Sequence, residues 1–124
     1  MAKVLGVGGV FFKSKDPEAL RAWYRDVLGL ESESWGKFFT PLSDHPGAGT
    51  VWAPFKADTS YFAPSTREFM LNLMVDDLDA ILARCKENGV EPIKAVLDEP
   101  NGRFAHILDP DGTKIELWEP KEMI

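Results

Sequence analysis

One signal, written twice, constrains this chain more than any other feature. Residues 16–29 and 76–89 span the same distance. Each stretch carries an aspartate able to cap a helix, apolar residues at helical spacing and a terminal glycine. A strand-like run precedes each, and a Gly-Leu-Glu or Gly-Val-Glu turn follows. The offset is 60 or 61, depending on whether Asp76 or Asp77 caps the second helix. Chance could supply one such match, but order, caps and spacing together point to duplication. A duplicated unit restricts the fold to two copies of one supersecondary element.

Each unit reads as a strand, a helix and three strands. In the first, residues 7–13 form a strand, Asp16 is the N-cap, Pro17 stands at N1 and Glu18 in the first turn. Leu20, Trp23, Tyr24, Val27 and Leu28 recur at helical spacing, and Gly29 ends the run. Strand and turn signals follow at 31–34, at Trp35-Gly36, at 37–40 and at 50–55, around a loop at 41–49 broken by Pro46, Gly47 and Gly49. In the second unit, residues 69–75 form a strand, and Leu78, Ile81, Leu82 and Cys85 mark the helix that Gly89 ends. Strands are expected at 91–96, 103–108 and 113–118.

A sheet that covers one face with a helix must alternate along its strands. Leu71, Leu73 and Val75 form a helix-facing set and leave Met70, Asn72 and Met74 on the other face. Ile115 and Leu117 likewise oppose Lys114, Glu116 and Trp118. That second face mixes large apolar with polar groups, as a concave ligand surface does. The expected fold is α+β, with two βαβββ modules forming a curved mixed sheet. Module one spans about 4–62 and module two about 66–120 of a single 124-residue domain.

Composition narrows the setting. No apolar run approaches the roughly 20 residues that cross a bilayer, and the apolar start lacks the pattern of a signal peptide. The single cysteine, Cys85, cannot form an intramolecular disulfide and suits a reducing compartment, so the cytoplasm is expected. A net charge of −6 argues against nucleic acid, which rewards basic stripes.

Three motifs resemble the glyoxalase, bleomycin-resistance and extradiol-dioxygenase superfamily, also called vicinal oxygen chelate. They are D-P-E-A-L-R-A-W-Y-R-D-V-L-G-L at 16–30, V-D-D-L-D-A-I-L at 75–82 and L-D-P-D-G-T-K-I-E-L-W-E-P at 108–120. The resemblance implies a curved sheet whose hollow holds a divalent metal, with one ligand from each module's first strand and one from each last strand. Carried over residue by residue, those positions fall on Gly9, Met70, the neighbourhood of Trp52, and Glu116. Only Glu116 is of the expected type, because glycine, methionine and tryptophan do not ligate a hard divalent ion. The expectation is therefore no metal and no other cofactor. The resemblance also implies a homodimer with composite sites.

Glu116 and His106 are the candidate catalytic pair. Asp109-Pro110-Asp111-Gly112 is a favoured type I turn with glycine at the left-handed bulge position. In that register His106 opposes Glu116 across the hollow; a loop without the bulge would turn His106 toward the helix. Buried without a cation, Glu116 should have its pKa raised toward neutrality, as a general acid/base requires. The same group read blandly is a carboxylate satisfied by hydrogen bonds. Phe11, Trp52, Met70, Met74 and Trp118 are expected to line a ligand site, with Lys13 and Asn72 as polar handles. Trp23 and Tyr24 read as helix-to-sheet packing, Cys85 as a buried structural thiol, and His45 and Arg103 as surface groups. The favoured function is metal-independent binding of a small molecule. The alternatives are a metal-dependent lyase, isomerase or dioxygenase, an acid/base enzyme using Glu116, or a scaffolding domain with no pocket.

Overall fold

The computed structural model describes residue 2 and residues 9–39 and 47–121. Both helices form where the sequence places them. Helix α1 (Pro17–Leu28) starts at Asp16, whose Oδ1 accepts from the Ala19 amide at 3.1 Å. It ends at Gly29, where the amides of Gly29 and Leu30 reach back to the Arg25 and Tyr24 carbonyls at 3.0 and 3.1 Å. Gly29 is left-handed (φ 71°), and a side chain there would crowd the Arg84 guanidinium. That guanidinium satisfies the last carbonyls of α1, those of Arg25 and Asp26, at 3.0 and 2.9 Å. Helix α2 (Leu78–Glu87) is capped by Asp77, not Asp76, through the Ala80 amide at 3.1 Å, which fixes the cap offset at 61.

Four strands complete the described framework: β1 (Leu71–Met74), β2 (Leu97–Glu99), β3 (Gly102–Leu108) and β4 (Lys114–Pro120). Their order is β1-β4-β3-β2, with β1 parallel to β4 and the other pairs antiparallel. The fold is α+β, an open mixed sheet with two helices on one face. Leu20, Tyr24 and Val27 of α1, with Leu78 and Cys85 of α2, meet Ala105, Ile107, Ile115 and Leu117 of the sheet. Burial of this kind stabilises by about 25 cal/mol per Å² of apolar surface removed from water. It also raises the Cys85 thiol pKa, as expected for an inert structural cysteine. No helix among the described residues is long and apolar enough to cross a membrane.

The β3–β4 turn has the expected bulged geometry. The Asp109 amide donates to the Thr113 carbonyl at 2.9 Å, that of Gly112 to the Asp109 carbonyl at 3.0 Å, and Gly112 has φ 81°. Asp109 holds the turn from within, its Oδ1 accepting from the Asp111 and Thr113 amides at 2.9 Å each. Its Oδ2 accepts from the buried Tyr24 hydroxyl at 2.7 Å, which ties the turn to α1.

Several strands expected from the sequence differ. The strand at 91–96 does not form; pairing begins only at Leu97. Pro92 has no amide to donate, and this stretch reaches β3 through a single bond, Ile93 N–H to the His106 carbonyl at 2.7 Å. In the first module, among the described residues, 9–13 and 50–55 carry no strand pairing, and 31–39 hold only a bridge between Glu33 and Gly36 about the Trp35-Gly36 turn. Residues 7–8 and 40–46 of the expected strands and loop, His45 among them, lie outside the described residues. The first-module segments have strand-like composition, but composition supplies no neighbouring edge, and strand formation depends on pairing and burial. Their large side chains instead stand in solvent, Phe11 96% and Trp52 79% exposed.

Candidate functional site

The sheet face away from the helices carries a polar cluster around buried His106 and Glu116, joined by half-buried Tyr61 and by Asn72 at the exposed edge. The bulged turn sets the β3–β4 register, so His106 pairs with Glu116, and the parallel pairing of β1 brings Asn72 opposite Glu116 from the other side. Three donors converge on that carboxylate. His106 Nε2–H donates to Oε2 at 2.8 Å, Tyr61 Oη–H donates to the same oxygen at 2.5 Å, and Asn72 Nδ2 donates to Oε1 at 2.8 Å. An ionised carboxylate only accepts, which assigns the proton on His106 to Nε2. His106 is fully buried, and its Nδ1 has no hydrogen-bond partner among the described residues.

This environment sets the charge on Glu116. Burial pushes its pKa up, but the hydrogen bonds from His106, Tyr61 and Asn72 together outweigh burial and hold it at about 2. The outcome is opposite to the rise toward neutrality expected from burial alone. The missing cation is visible in the sequence, but the donors that stand in for it come from three separate segments. The Tyr61 hydroxyl moves the other way, its pKa raised by burial and then by its bond to the Glu116 carboxylate.

Tyr61 was not legible as a site residue. It comes from the Asp-Thr-Ser-Tyr-Phe-Ala-Pro-Ser linker at 58–65, to which the sequence reading assigns no element. The one available signal was an aromatic pair, Tyr61-Phe62, in an otherwise polar connection. The linker is seated firmly. The Tyr61 amide donates to Thr59 Oγ1 at 3.2 Å, and Lys114 Nζ donates to the Tyr61 carbonyl at 2.5 Å. Phe55 stacks on the Tyr61 ring at 5.7 Å, and Ser65 Oγ bonds the Gly112 carbonyl of the β3–β4 turn.

Of the residues singled out from sequence, the structure brings Glu116, His106 and Asn72 into direct contact. Met74 and Trp118 are register partners beside them. Trp118 is buried, stacks parallel to Phe104 at 6.1 Å, and donates its indole N–H to the Asn101 carbonyl at 3.0 Å. It forms a wall of the face. Gly102 makes that position accessible: its φ is 149°, and a Cβ there would run into the Trp118 indole and the Glu119 carbonyl. Met70 is half-buried at the edge of β1. Phe11, Lys13 and Trp52 are exposed and make no hydrogen-bond or ring contact with the cluster. Among the described residues Lys13 contributes only its carbonyl, which accepts from Arg67.

The sequence profile of the Glyoxalase/Bleomycin resistance protein/Dioxygenase superfamily matches residues 10–117. The chain belongs to this superfamily. Among solved structures, an antibiotic binding protein from Streptomyces sp. CB03234 is 29% identical, with 98% of this chain and 100% of that chain covered and a TM-score of 0.58. A superfamily member from Sphaerobacter thermophilus is 25% identical over 94% and 98% of the two chains, with a TM-score of 0.55. A lactoylglutathione lyase from Agrobacterium tumefaciens, at 20% identity over 95% and 96% and a TM-score of 0.58, shares the fold. No curated protein matches the sequence.

Within this superfamily the hollow implies a divalent ion, and the side chains here do not suit one. Of the four positions to which the resemblance points, Gly9, Met70 and the neighbourhood of Trp52 offer no donor, and the Glu116 oxygens are already engaged. Among the described residues no three His, Cys, Asp or Glu side chains converge as a metal cluster would require. A pre-organised cluster of this kind can instead hydrogen-bond an organic ligand, the carboxylate accepting and the Asn72 amide, which has a second N–H, donating.

Proposed function

We propose that this superfamily member binds a small organic molecule without metal, on the face floored by Glu116, His106, Tyr61 and Asn72. The observation that carries the proposal is the triple engagement of Glu116. A carboxylate held ionised at about 2 by neighbouring side chains is a weak base, which weighs against acid/base catalysis by Glu116. It is at the same time a fixed anchor for polar groups, flanked by Met74 and by the Trp118–Phe104 stack. The Streptomyces neighbour, an antibiotic binding protein, agrees with a sequestering role.

The proposal extends to a homodimer of two-module chains in the cytoplasm, which the lone buried Cys85 suits. Phe11, Phe12, Trp35, Phe38, Trp52 and Phe55 are all exposed, more apolar surface than a solitary soluble chain usually leaves bare. A second copy covering them would bring Phe11 and Trp52 toward a composite ligand site. Native mass spectrometry of protein purified without chelator tests both parts. A dimer carrying a releasable organic mass and no metal supports the proposal; a monomer, or a chain carrying one metal ion, contradicts it.

A further inference from the structure

We propose that the ligand carries an anionic group, seated between Lys94 and Lys114 beside the Tyr61 ring; this deepens the small-molecule reading above and rests on it. Two ammonium groups converge on that one ring, with Lys94 Nζ 5.3 Å and Lys114 Nζ 4.9 Å from its centroid. Neither makes an ion pair among the described residues, whereas Arg25, Arg103 and Lys121 each pair with a carboxylate. The contrast matters in a chain of net charge −6, where carboxylates are plentiful.

Lys114 is the more telling of the two. It is only 3% exposed, and its one hydrogen bond among the described residues goes to the Tyr61 carbonyl. An ammonium has three donors, and a buried charge is costly unless paired. Attraction to a ring face holds a cation in place but does not neutralise it. The neighbouring Glu116 gives little relief, because His106, Tyr61 and Asn72 already share its charge. Burial first, then the Lys94 charge, lowers the Lys114 pKa, against a smaller opposing pull from Glu116. A carboxylate, sulfonate or phosphate between the two amines would supply the missing acceptors and the missing charge at once.

Two dyes with the same aromatic body test the idea by fluorescence titration of the full chain. One is 1-anilinonaphthalene-8-sulfonate, the other its uncharged counterpart N-phenyl-1-naphthylamine. The sulfonate should bind about tenfold more tightly, and added salt should weaken the sulfonate alone. Lys94 is exposed, so Lys94→Gln and Lys94→Glu should fold normally. The first should shrink the preference and the second abolish it, with the neutral dye unchanged; Lys114→Gln should act like Lys94→Glu if it folds. Equal affinities for the two dyes, or a preference that survives both Lys94 substitutions, overturns the anion assignment while leaving the binding site intact. If neither dye binds, the small-molecule reading itself fails and the anion assignment goes with it.

Discussion

Replacing Glu116 with glutamine removes the charge on which the polar cluster is built. In the folded protein the carboxyl titrates at about 2, against an ordinary value of 4.5. A depressed acid contributes stability that is fully present above the unfolded-state value and is lost as pH falls through 4.5 toward 2. The displacement corresponds to about 3 kcal/mol at neutral pH. The Glu116 side chain is 12% exposed, so little of this is lost to solvent screening. Glutamine keeps the shape and one acceptor, but its amide nitrogen meets donors where the carboxylate met only partners. Urea unfolding of both proteins, followed by tryptophan fluorescence from pH 7 to pH 2, gives the difference in stability directly. That difference should be near its full value at pH 7 and close progressively on acidification below 4.5. Asp79 and Asp98, held low by Arg103 and Lys121, titrate in both proteins and cancel in the comparison. A gap that stays constant with pH, or widens in acid, would refute the claim that the donors hold Glu116 ionised.

Two further substitutions probe the scaffold that positions the cluster. Tyr24→Phe leaves the buried Asp109 Oδ2 without its donor and should cost about 2 kcal/mol, read as a lower urea midpoint with unchanged circular dichroism; an unchanged midpoint would mean the helix-to-turn tie carries no weight. Gly102→Ala forces a Cβ against Trp118 and Glu119 at a positive φ and should cost about 1–3 kcal/mol, with a shift in tryptophan emission as the indole is displaced. Unaltered stability and emission would show that the backbone yields there without effect.

The readable parts of this protein were those encoded locally. The two helices announce themselves through Asp16, Pro17 and Gly29 and through Asp77 and Gly89, each acting on its own turn of backbone. The His106–Glu116 register was legible for the same reason, since Asp109 to Gly112 fixes the loop length and a two-residue period carries the register outward. Asn72 followed from alternation along its strand. What was not legible depends on distant parts of the chain. Tyr61 reaches Glu116 only because a polar linker folds over the sheet, and Lys94 and Lys114 meet only on its ring. The direction of the Glu116 pKa shift depends on donors from three separate segments, which no local pattern reveals. Residues 9–13 and 50–55 have strand-like composition, yet they have no edge to pair with among the described residues.

The central claim is that hydrogen-bond donors, and not a cation, complete the Glu116 carboxylate. Elemental analysis of the full chain, purified without chelator and then dialysed against zinc, nickel, manganese and iron, tests it most directly. Substoichiometric metal is expected for every ion, unchanged by Glu116→Gln. One tightly held ion per chain that disappears in the Glu116→Gln variant would contradict it.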